Sequence, residues 1–126
     1  MSSGPAGGGL EEVARRLGAL SGVSMIMVIG PGGEEAHRWY RTTADVAAVR
    51  AGPEDFMRVL EPVWGLLSKV GARELDDLII RAREKVAIIH SAGPAVLVVV
   101  ADRAANLALL LIRSRAAAEE IARLVG

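Results

Sequence analysis

Residues Ala95–Leu124, AVLVVVADRAANLALLLIRSRAAAEEIARL, change their hydrophobic period part-way along. Ala95–Ala101 is wholly apolar and of strand length, and it stops at Asp102-Arg103. Beyond it, Leu107, Leu110, Leu111, Ala118, Ile121 and Val125 recur on one face of a helix. The pattern predicts a helix over Ala104–Val125 with Asp102 as its N-cap. A strand apolar on both faces lies inside a sheet covered on both sides. That stretch alone predicts a layered α/β domain with helices above and below.

Working outward, Val23–Ile29 (VSMIMVI) is a second nearly continuous apolar run, closed by Gly30-Pro31-Gly32-Gly33. Glu35–Arg41 (EAHRWYR) follows directly, so the Pro/Gly cluster reads as a hairpin turn. The first of these strands suits a central position and the polar second one an edge. Leu75–Arg83 and Lys85–His90 read as two further strands, and Gly93-Pro94 separates the latter from Ala95–Ala101. Leu10, Val13, Leu17 and Leu20 form a narrow helical stripe ahead of Gly22. Pro53, Glu54 and Asp55 open a helix that Gly71 closes, with Pro62 inside it. The predicted order is α-β-β-α-β-β-β-α, one domain over 10–126, with residues 1–9 a flexible tail. Val23–Ile29 and Ala95–Ala101 are predicted central, and Glu35–Arg41 and Leu75–Arg83 at the two edges. Short connections predict antiparallel pairing.

Composition narrows the function. The 126 residues carry 15 basic and 15 acidic side chains, so the basic excess of a nucleic-acid binder is missing. With no cysteine, disulfides, thiolate nucleophiles and Cys-ligated zinc are ruled out. The start lacks the basic and apolar regions of a signal peptide, and no apolar run approaches the roughly 20 residues that span a bilayer. A cytoplasmic protein is expected, with no membrane insertion. The absence of Gln, a single Asn and abundant Arg fit a heat-adapted prokaryote.

Searches for chemistry return little. His37 and His90, the only histidines, match no metal spacing. Asp76 and Asp77, adjacent on a strand, point to opposite faces. Gly30–Gly33 lacks the Lys-Ser/Thr ending of a phosphate loop and precedes a strand where a helix is required. Ser21, Ser24, Ser68, Ser91 and Ser114 stand at no triad spacing. The expectation is a protein that is not an enzyme, with no catalytic residues, metal or cofactor.

One helix carries more apolar surface than a sheet can cover. Phe56, Met57, Val59, Leu60, Val63, Trp64, Leu66, Leu67 and Val70 span about 180° of the wheel. Packing on a sheet needs a stripe of roughly 100°. One flank, Met57/Trp64 or Val59/Leu66, is therefore left over. Either it tucks beneath the Thr42–Ala51 linker or it meets another protein. Trp and Met are enriched in interface cores. Leu78, Ile79 and Ile80 at a sheet edge add unpaired backbone for strand pairing, so helix and edge suit a two-fold dimer. The residues expected in that interface are Met57, Leu60, Trp64, Leu67, Leu78 and Ile80.

The element order, the GVSMIMVIGPGG hairpin entry and the strand-Ala-Asp-to-helix stretch ending in AAAEEIARL resemble the roadblock / dynein light chain family, and the bacterial and archaeal MglB-like roadblock proteins in particular. The resemblance covers nearly all of Leu10–Val125. It departs at Pro31-Gly32-Gly33, where family members often have Asp-Gly, and at Pro62. It implies a five-stranded antiparallel sheet in the order 2-1-5-4-3, with the second helix on one face and the terminal helices on the other. It also implies homodimers joined through Pro53–Gly71 and Leu75–Arg83, and regulation or scaffolding of small Ras-like GTPases. Adaptor subunits and ligand sensors on related folds are the competing expectations. No residue here marks a GTPase contact.

Overall fold

A computed structural model describes residues 6–126, with side chains from residue 9 onward. The expected tail over 1–9 lies outside the described residues as far as residue 5; helix α1 begins at Ala6 and ends at Gly18. The remaining elements are β1 (Val23–Ile29), β2 (Glu35–Tyr40), α2 (Thr43–Ala48), α3 (Pro53–Lys69), β3 (Asp77–Arg81), β4 (Lys85–Ala92), β5 (Ala95–Asp102) and α4 (Leu107–Val125). The five strands form one antiparallel sheet in the order β2-β1-β5-β4-β3. The two apolar runs are neighbours near its middle, Ile26 opposite Val99 and Met27 opposite Val98.

Alternation along the strands sends side chains into two separate cores. Val23, Ile26, Val28, Ile88, Leu97 and Val99 meet α1 and α4 on one face. Met25, Met27, Ile29, Ile89, Val98 and Val100 meet α3 on the other. Full burial of such side chains contributes about 1.5–3 kcal/mol each, which is why a domain almost without aromatics closes an aliphatic core. Trp39 of β2 lies against α1, and a Cβ at Gly18 would sit 2.5 Å from its ring. Glycine at that position is what lets the edge strand approach the helix.

Several elements differ from the sequence reading, and β3 and β4 also end at Arg81 and Ala92 in place of the expected Arg83 and His90. The linker Thr42–Ala51 contains a short helix, α2, opened by a capping box in which Thr42 and Asp45 satisfy one another's backbone N–H groups. Asp102 is not the N-cap of α4. Its carboxylate takes the Lys85 ammonium at 2.7 Å and stays with β5, and Asn106 caps the helix by accepting from the Leu109 N–H at 3.1 Å. Strand β3 starts at Asp77, two residues later than predicted, because residues 72–76 are used to bring the chain back from α3.

Candidate protein-binding face

Helix α3 is a single helix with Pro62 inside it. Pro53 stands at its first position, and the Gly52 N–H donates to Asp55 Oδ2 at 2.8 Å. It ends in a Schellman motif: the Ala72 N–H donates to the Leu67 carbonyl and the Gly71 N–H to that of Ser68, with Gly71 at φ +82°. That cap turns the chain back towards β3.

Only part of the apolar arc of α3 reaches the sheet. Phe56 and Leu60 are buried in the second core, and half-buried Met57 packs beside them. The linker residues Val49 and Ala51 join the same cluster. Trp64 lines a groove with Arg73, Glu74, Leu75 and Asp76 of the returning segment and with Ser91 and Gly93. On the opposite flank Val59, Leu66 and Val70 are 39%, 60% and 67% exposed, against 40% for Trp64. These three adjoin the exposed Asp55, Arg58 and Lys69 on the helical wheel.

The six residues expected to form an interface therefore divide. Leu60, 1% exposed, is a correction: it lies at the centre of the arc, where the wheel meets the sheet, and cannot reach a partner. Met57 is held mainly by the core, while Trp64 and the half-buried Leu67 remain accessible on α3. Leu78 and Ile80 lie on the α3 side of β3, with Leu78 packed against the core and Ile80 exposed. Among the described residues strand β3 pairs with β4 alone, and its outer edge is unpaired. The sequence contained the Val59/Leu66 flank as one of two choices. Nothing in it showed that residues 73–76 would occupy the Trp64 side.

On the other face of the sheet, folding joins two residues that stand at no motif spacing. His90 and Ser114 are buried, with His90 Nε2 2.6 Å from Ser114 Oγ. Which of the two donates depends on the imidazole tautomer, and Oγ also lies 3.3 Å from the Leu111 carbonyl. Asp77, level with His90 across β3 and β4, is engaged by Arg115 at 2.8 Å and not by the imidazole. His90 lines an open pocket with Asp76, Asp77, Ser91, Arg115 and Glu119, and no carboxylate hydrogen-bonds its ring, so the pair lacks the orienting acid of a catalytic triad. Among the described residues, no three His, Asp or Glu side chains converge to hold a metal.

Burial holds His90 below its ordinary pKa of 6.5, opposed by the charge of Asp77 and reinforced by that of Arg115. The unfolded chain binds this proton more readily, so the contribution of neutral His90 to stability is complete above pH 6.5 and declines as the pH falls below it. Urea midpoints measured at pH 7.5 and 5.5 should fall for the wild type. They should fall less for His90→Gln, which has nothing to titrate at that position. Equal falls would remove His90 from the account.

No protein-family model matches this sequence, and no curated protein matches it by sequence. Solved structures do match. MglB, a gliding protein of Thermus thermophilus, superposes with a TM-score of 0.81 at 19% identity, covering 99% of this chain and 94% of its own. Myxococcus xanthus MglB gives 0.81 at 17% identity, covering 98% and 92%. A Roadblock/LC7 domain from Streptomyces avermitilis gives 0.61 at 16% identity, covering 88% and 89%. The fold is that of the roadblock proteins, in its MglB-like form. At these identities the likeness concerns the fold. Within this roadblock fold, α3 and β3 hold the helix and edge strand singled out by the sequence. Among the described residues, no helix is long and apolar enough to cross a membrane.

Proposed function

We propose that this roadblock-fold protein is a non-catalytic homodimer that binds a small Ras-like GTPase and modulates its GTP hydrolysis. The observation that carries the reading is the exposed flank of α3, Val59, Leu66 and Val70, together with the unpaired edge of β3 among the described residues. An apolar flank of a helix whose other apolar side already packs on the sheet is best satisfied by a second copy. A two-fold axis presents each exposed residue twice, so a small patch doubles its buried surface. Ile80 adds an exposed apolar side chain on the edge strand. The GTPase part rests on the resemblance of the hairpin entry and the strand-to-helix stretch to roadblock regulators, together with the shared MglB fold.

The test is single-turnover GTP hydrolysis by the Ras-like GTPases of the same organism, with and without this protein. The reading expects binding in one nucleotide state and at least about a tenfold rate change, equivalent to roughly 1.4 kcal/mol of barrier. Binding with an unchanged rate would make the protein an adaptor. Absence of binding in both nucleotide states would end the GTPase reading.

A further inference from the structure

A second surface lies across the sheet from α3, along the seam of α1 and α4. An open trough there has Val13 and Leu17 in its floor and Arg113, Ala116 and Ala117 along its α4 wall. It continues past Leu20 to Asn106 and Leu109. From Asn106 to Glu120 it follows α4 for about 20 Å, the length of a four-turn helix. Val13, Leu17 and Ala117 are buried, while Leu109 and Ile112 stand 37% and 63% exposed on α4.

The charges select the occupant. Arg16 is already neutralised, 2.7 Å from Glu120 and 3.5 Å from Glu12. Arg113, on the same wall, has no ion-pair partner among the described residues. A second copy docked through this patch is disfavoured by that cation. A two-fold axis centred on Leu109 and Ile112 sets two Arg113 side chains next to each other, and juxtaposed like charges suppress such a pairing. We infer that the trough receives an amphipathic helix of a partner protein, apolar towards Leu20, Leu109 and Ala116 and carrying a carboxylate opposite Arg113. Helix-in-groove recognition of this kind reads apolar anchors at i, i+3, i+4 and i+7.

Two synthetic helical peptides of about 16 residues, long enough for the trough, share one leucine spacing and carry flanking Glu in one and Lys in the other. Fluorescence anisotropy with the full chain should show the Glu peptide bound at least about tenfold more tightly. Arg113→Glu should reverse the preference, and Leu109→Asp should weaken both peptides. Amide shifts on binding should centre on Leu20, Leu109 and Ala116. Leu66→Asp should leave peptide binding intact, which separates this inference from the dimer reading. Equal affinity for the two peptides, an unchanged preference in Arg113→Glu, or shifts centred on α3 would overturn it. So would a smaller assembly mass in Leu109→Asp, which would make the occupant a second copy.

Discussion

Leu66→Asp is expected to convert the protein from a dimer to a monomer, weakening association at least about 100-fold. Leu66 is among the most exposed large apolar side chains of the described residues and lies midway along the open flank of α3. In the monomer it already faces water, so aspartate there costs the isolated fold little. In the dimer the same carboxylate loses its hydration without a countercharge, and symmetry imposes that cost twice. Trp64→Asp should weaken association less, because residues 73–76 already share the groove on that side. Light scattering of both variants at matched concentration decides between the two flanks. A larger loss for Trp64→Asp would return the contact to the Met57/Trp64 side.

Leu60→Ala should have the largest effect on folding, lowering unfolding stability by about 2–5 kcal/mol. Leu60 is buried with Met25, Met27, Ile89 and Val98, and along with Phe56 it is one of the two buried residues of α3. Truncation leaves a cavity under a helix with few other anchors, since the second half of α3 buries no side chain fully. Leu66→Ala, compared in a monomeric background, should change stability by no more than about 0.5 kcal/mol, as exposed substitutions do. Denaturant midpoints for the two variants measure which residues of α3 face inward. A loss at Leu66 equal to that at Leu60 would mean that the exposed flank is buried within the monomer.

Much of this arrangement was legible from residue pattern. VSMIMVI and AVLVVVA are apolar on both faces, which forces them to the inside of the sheet and forces helices onto both sides. Polar EAHRWY had nowhere to go but an edge. What escaped was decided by contacts distant in sequence. Asp102 looked like a helix cap, yet Lys85, Ser24 and Arg41 converge on its carboxylate and hold it below the usual aspartate range, the Lys85 hydrogen bond contributing most. Helix α2 is held by the Thr42–Asp45 box, too short for any hydrophobic period to reveal.

The association surface was half legible for the same reason. The wheel showed that α3 had more apolar surface than a sheet absorbs. It placed Leu60 within the arc without showing that the sheet would take that part of it. The choice of open flank depended on where the Schellman cap sends residues 72–76, which is a matter of backbone geometry at Gly71. The pairing of His90 with Ser114 across 24 residues likewise left no trace in spacing.

Sedimentation velocity of the wild-type chain at micromolar concentration tests the central claim, that the apolar flank of α3 exists to meet a second copy. The account predicts one species at twice the 13.2 kDa chain mass. A single 13.2 kDa species persisting through the micromolar range would contradict it.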